Sequence, residues 1–103
     1  MSSYFIVTYD VANREEYKKY NPGSNHITGQ TVAKHEGEII AATTDSINLG
    51  GEERDMKVII KFPNREAALA WNEDPEYAAA KTLRLASTKN IDAYIIDGLS
   101  EEK

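Results

Sequence analysis

The segment MKVIIKF, residues 56–62, constrains the fold more than any other stretch of this chain. Its β-branched and apolar residues read as a strand. Successive side chains of a strand point to opposite faces. That puts Met56, Val58, Ile60 and Phe62 on one side and Lys57, Ile59 and Lys61 on the other. A wholly apolar face has to be buried against a second layer, so the strand belongs to a sheet with cover on that side. Three more segments read as its neighbours: YFIVTYDV (residues 4–11), EIIAATT (38–44) and IDAYIID (91–97).

Helical patterns fill the spaces between them. Asn13 begins NREE and has Glu16 three residues on, the capping-box spacing. The helix it opens carries Tyr17 and Tyr20 and then meets NPGSN. Pro22 lacks a backbone donor and disfavours helix in the residue before it, which predicts a kink or break there. Helical spacing resumes at Ile27, Thr31, Val32 and His35, with Gly37 placed to end it. DSINLGGEERD is a polar connection whose Gly50–Gly51 pair is free to turn at positive φ. After residue 62, Asn64 caps REAALAW, Asp74–Pro75 interrupts the helix, and a second helical piece runs over about 76–87. Gly98 stops the fourth strand, and LSEEK (99–103) is expected to be a frayed tail.

The order is βαββαβ, for which the ferredoxin-like α+β sandwich is the leading architecture. It predicts a four-stranded antiparallel sheet in the order 4-1-3-2, with both helical regions on one face. At 103 residues the chain is expected to form one domain over 1–103, burying roughly two-thirds of its unfolded surface. One strand parity collects Phe5, Val7, Tyr9, Ile39, Ala41, Met56, Val58, Ile60, Phe62, Ala93 and Ile95, and should face the helices. The other carries Tyr4, Ile6, Thr8, Asp10, Ile40, Ala42, Lys57, Ile59, Lys61, Tyr94 and Ile96. Its isoleucine stripe has no cover from its own chain, so a homodimer is expected. Antiparallel pairing of the first and third strands should bring Tyr4 near Lys61 and Asp10 near Lys57.

Composition removes whole classes of chemistry. With no cysteine, disulfides, thiolate catalysis and cysteine-ligated metals are excluded. Seventeen acidic residues against twelve basic give a formal charge of −5, which argues against nucleic acid as a partner. No apolar run approaches the ~20 residues that span a bilayer. MSSYFIV lacks the basic and apolar regions of a secretory signal, so a soluble, cytoplasmic protein with no membrane partner is expected. Motifs for phosphate loops, dinucleotide binding, nucleophile elbows and zinc proteases are absent. The two histidines, His26 and His35, lie nine residues apart on what read as two helical pieces, and no metal site or cofactor is expected.

Several residues together resemble a known family. YFIVTYDV…EEYKKY, the Phe62-Pro63 pair ending the third strand, EAALAW, DPEY and Arg84 are similar to the domain-of-unknown-function-1330 family. The resemblance covers most of the chain, from residue 4 to about 98. It implies membership of the dimeric α/β-barrel superfamily, in which two ferredoxin-like sheets pack face to face. It also implies small organic ligands, since superfamily relatives include cofactor-independent monooxygenases, isomerases and haem-degrading enzymes.

The candidate site residues gather around the Asp74–Pro75 break. Trp71 and Tyr77 flank it, and their rings either close the core or line an aromatic slot beside it. Arg84 follows Tyr77 by seven residues, two helical turns, and so shares its face. It is either an anion clamp for a carboxylate or enolate, or one half of a structural salt bridge. Tyr9, on the helix-facing side of the first strand, joins this ligand-binding set. His35 shares a stripe with Ile27, Thr31 and Val32. It reads as a candidate proton shuttle or as a cation favouring the helix C-terminus. Two classes of function stay open: an enzyme acting on a small aromatic or carbonyl compound, and a non-catalytic ligand-binding or structural dimer.

Overall fold

The computed structural model describes residues 2–20 and 25–99. The expected break at Pro22 and nearly all of the expected frayed tail lie outside those residues. Eight elements follow in order: β1 (Ser3–Val11), α1 (Arg14–Tyr20), α2 (Asn25–Lys34), β2 (Glu38–Thr43), β3 (Met56–Phe62), α3 (Arg65–Asn72), α4 (Pro75–Ser87) and β4 (Thr88–Asp97). The strands form one antiparallel sheet in the order β2-β3-β1-β4, which is the ferredoxin-like arrangement that the element order implies.

Local chemistry explains most boundaries. Asn13 Oδ1 accepts from Glu16 N at 3.1 Å, so the cap at α1 forms. Asn64 caps α3 by accepting from Ala67 N at 2.8 Å. Asp74 caps α4 by accepting from Glu76 N at 2.8 Å, with Pro75 in the first turn, where a missing donor costs nothing. The end of α2 differs from expectation. Glu36, not Gly37, takes the left-handed conformation, at φ 62°. Gly37 is needed for a different reason: a Cβ there would meet the Phe62 ring at 2.7 Å and Val32 at 2.9 Å.

Parity holds along β1 and β3. Phe5, Val7, Tyr9, Ile60 and Phe62 are buried in one cluster with Val32, Ala68, Trp71, Tyr77 and Ala80 from the helices. The β2 pattern is corrected by a bulge. Ile39 pairs with Ile60, but Ala41 pairs with Ile59 and Ala42 with Val58, so Ile40 is the extra residue. Beyond it the faces exchange: Ala41 joins the open side and Ala42 the helix side. Across the open side this leaves a row Ala41–Ile59–Ile6–Tyr94. Ile40, Tyr94 and Ile96 are 48%, 52% and 46% exposed.

A second correction concerns Asp10. Tyr4 does pair with Lys61, but Thr8, not Asp10, lies opposite Lys57. Lys57 instead donates to the carbonyls of Thr44 and Arg54. Asp10 accepts from Asn90 Nδ2 and from Asp55 N, both at 2.9 Å, which with Arg54 nearby holds its carboxyl below the usual range. Asn90 reaches it from a left-handed conformation, φ 55°, beside the β1–β4 register shift. The strand β4 therefore starts three residues before the expected Ile91.

Candidate functional site

The break at Asp74–Pro75 brings Trp71 and Tyr77 together. Their ring centroids are 4.3 Å apart with planes at 26°, a stack across the junction of α3 and α4. In one continuous helix Tyr77 would sit about 240° around the axis from Trp71. Trp71 is also edge-on to Phe5 at 5.1 Å, and its Nε1 donates to Thr31 Oγ1 at 3.0 Å. It is thus a core ring, 1% exposed, with its polar edge satisfied.

The same ring walls a cavity of about 140 Å³ between helices and sheet. β1 contributes Val7 and Tyr9, β3 contributes Met56, Val58 and Ile60, and β2 contributes Ile39 and Ala42. Tyr17 of α1 and Thr28 of α2 also reach it, and α4 supplies Tyr77 and Arg84. Core and hole are therefore not alternatives: Trp71 is part of both.

Arg84 is the charged member of this lining. On α4 the buried positions Tyr77, Ala80, Arg84 and Ser87 recur at helical spacing, so the face that carries Tyr77 inward carries the guanidinium with it. Arg84 is 5% exposed. Its Nε has no hydrogen-bond partner, and no carboxylate among the described residues pairs with it. Its Cζ lies 6.0 Å from the Tyr9 ring centroid, within cation–π range. Burying a charge without an opposite charge is costly, which makes this cation a strong attractor for an anion. Tyr9 and Tyr17 bond to each other through their hydroxyls at 2.9 Å, and either oxygen can donate.

Of the residues singled out in the sequence, Tyr9, Trp71, Tyr77 and Arg84 converge on the cavity. His35 does not line it. Its Nε2 lies 2.7 Å from Asp74 Oδ2, on the flank of the α3–α4 junction. Lys34 Nζ reaches the same oxygen at 3.0 Å, and Glu76 Oε1 also at 3.0 Å. These bonds clip α2 to the start of α4. Tyr17, Thr28, Met56 and Val58 also line the cavity, although the sequence patterns assign them no site role. Met56 and Val58 were visible as helix-facing positions, whereas nothing in the spacing of Tyr17 and Thr28 pointed to a cavity. Among the described residues no cluster of three potential metal ligands exists, and no helix is long and apolar enough to cross a membrane.

The clip has a pH signature. The bond from His35, then those from Glu76 N and Lys34, hold the Asp74 carboxyl down to about 2. An unfolded aspartate titrates near 4, so the unfolded chain takes up this proton first as pH falls. The stabilisation is complete above about pH 4 and is lost as pH falls through about 2. Thermal melts between pH 6 and pH 2 should show the wild type losing more stability below pH 4 than Asp74→Asn. Parallel curves would show that the clip carries no net coupling.

Fold and cavity together define a ferredoxin-like protein with an aromatic pocket under its helices and one buried guanidinium in the pocket wall. The chain belongs to the family described as Domain of unknown function (DUF1330), whose model matches residues 2–99. No curated protein matches its sequence. Solved structures share its fold. A protein of unknown function from Rhodopseudomonas palustris is 16% identical, with 96% of this chain and 83% of that chain covered and a TM-score of 0.74. A dimeric ferredoxin-like protein of unknown function from Jannaschia sp. CCS1 is 14% identical, covering 95% and 100% of the two chains at a TM-score of 0.74. A protein from Caulobacter crescentus CB15, provisionally described as an antibiotic biosynthesis monooxygenase, is 12% identical, covering 96% and 91% at a TM-score of 0.70. At such identities the likeness establishes the fold alone.

Proposed function

We propose that this chain is a homodimeric α/β-barrel protein that binds a small organic anion in the cavity beneath its helices. The observation that carries the binding claim is Arg84: a residue only 5% exposed, at a cavity wall, its Nε without a hydrogen-bond partner and no carboxylate pairing with it among the described residues. A ligand anion would supply the missing charge. The aromatic walls suit a flat apolar body beside it. Dimerisation is supported by the open row Ala41–Ile59–Ile6–Tyr94 and by the dimeric state stated for the Jannaschia protein. Two such sheets packed face to face would close the barrel.

The reading is one of binding first. A proton-transfer role for His35 would require its bond to Asp74 to open and the ring to reach the ligand. The test compares matched aromatic acids and amides on wild type and Arg84→Met. Trp71 is the sole tryptophan and lines the cavity, so its emission reports occupancy. A charged hydrogen bond contributes about 1.5–3 kcal/mol, so acids should bind roughly ten- to a hundredfold better than amides. Arg84→Met should abolish that preference in calorimetry. A preference that survives the substitution would assign Arg84 to structure rather than to ligand.

A further inference from the structure

We infer that the ligand is a monocarboxylic acid no bulkier than one six-membered ring, bound with its carboxylate on Arg84 and its body against Trp71, Met56 and Ile60. This rests on the anion-binding function proposed above and adds a limit on both size and charge. The size limit comes from the cavity and its walls. Its volume is about 140 Å³, and an apolar cavity of about 150 Å³ takes up benzene. Neither wall can retreat cheaply. Trp71 is held between Tyr77 and Phe5 and tethered at Nε1 to Thr31. Opposite it, β3 is hydrogen-bonded along both edges, to β1 and to β2. A fused second ring would have to displace one of these, which packed interiors resist, or project through the open side of the cavity and lose contact with both walls.

The charge limit comes from counting. Among the described residues around the cavity, Arg84 is the one ionic side chain, the others being apolar, phenolic or threonine. One buried cation balances one anionic charge. A dianion would leave a net negative charge against largely apolar walls, and a neutral molecule would leave the guanidinium without an opposite charge. Phosphate monoesters and dicarboxylates are disfavoured on the same ground.

Calorimetry on wild-type protein with sodium benzoate, 1-naphthoate and phthalate tests both limits, with Trp71 emission confirming that the cavity is the site. Benzoate should bind tightest, with 1-naphthoate and phthalate weaker by about tenfold or more. Met56→Ala removes a half-buried side chain from the lining and should selectively recover 1-naphthoate. If 1-naphthoate matches benzoate on wild type, the size limit falls. If phthalate matches it, the charge limit falls. In either case the anion-binding function stands. If none of the three binds, that function and this inference fall together. Should Met56→Ala not fold, the wild-type series alone still decides.

Discussion

Trp71→Ala is expected to lower the free energy of unfolding by about 3–5 kcal/mol, the range for truncating a large buried aromatic. The ring is 1% exposed and meets three other aromatics: stacked on Tyr77, edge-on to Phe5 and tilted against Phe62 at 5.7 Å. Such pairs add to plain area burial. Truncation also strips Thr31 Oγ1 of the donor it accepts from, while Thr31 keeps its own bonds to the carbonyls of Ile27 and Thr28. Trp71→Phe separates these contributions, since it retains a ring but loses that bond, at a cost of about 1 kcal/mol beyond the packing change. Denaturant titration followed by circular dichroism is the measurement, because both variants lose the only tryptophan. A loss below about 1 kcal/mol for Trp71→Ala would mean that the ring covers an open slot without supporting the core.

Ile59→Asp is expected to dissociate the proposed dimer. Ile59 sits mid-sheet on the open face, with Ile6 on one side and Ala41 on the other. In a face-to-face barrel two symmetry-related carboxylates would enter an apolar interface. The cheaper response is to protonate them. Raising an aspartate from its usual value near 3.9 to neutrality at pH 7 costs about 4 kcal/mol per subunit, roughly three decades in the dissociation constant for each. Sedimentation at micromolar concentration should show wild type at twice the chain mass and Ile59→Asp at the monomer mass or aggregated. A wild-type monomer would remove the barrel, and an Ile59→Asp dimer would place the interface on another face.

The cavity was legible in the sequence to the extent that local rules reach it. Helical spacing put Tyr77 and Arg84 on one face, strand alternation turned Tyr9 inward, and Asp-Pro chemistry located the break that stacks Trp71 on Tyr77. The spacing argument left two fates for Arg84, clamp or salt bridge. Choosing between them requires knowing every carboxylate within reach, and helical spacing along one segment does not give that. His35 illustrates the same limit. Its stripe suggested an inward ring, yet Asp74, 39 residues away, holds it at the helix junction.

What the sequence determined by itself is the element order, the helix-facing parity of β1 and β3, and the helix starts at Asn13, Asn64 and Asp74. Each follows from side chains within a few residues of one another, where steric and hydrogen-bonding preferences act on the backbone directly. Tertiary structure decided the rest. The bulge at Ile40 sends Ala42 to the cavity and Ala41 to the open row. The Asp10 carboxylate finds Asn90 and Asp55 N instead of Lys57, and Tyr9 meets the hydroxyl of Tyr17. A guanidinium with no carboxylate partner among the described residues is left at the wall. Register shifts and unmet charges are properties of how separate segments align. They depend on the sum of many weak contacts across the sheet and helices, and no local pattern carries that sum.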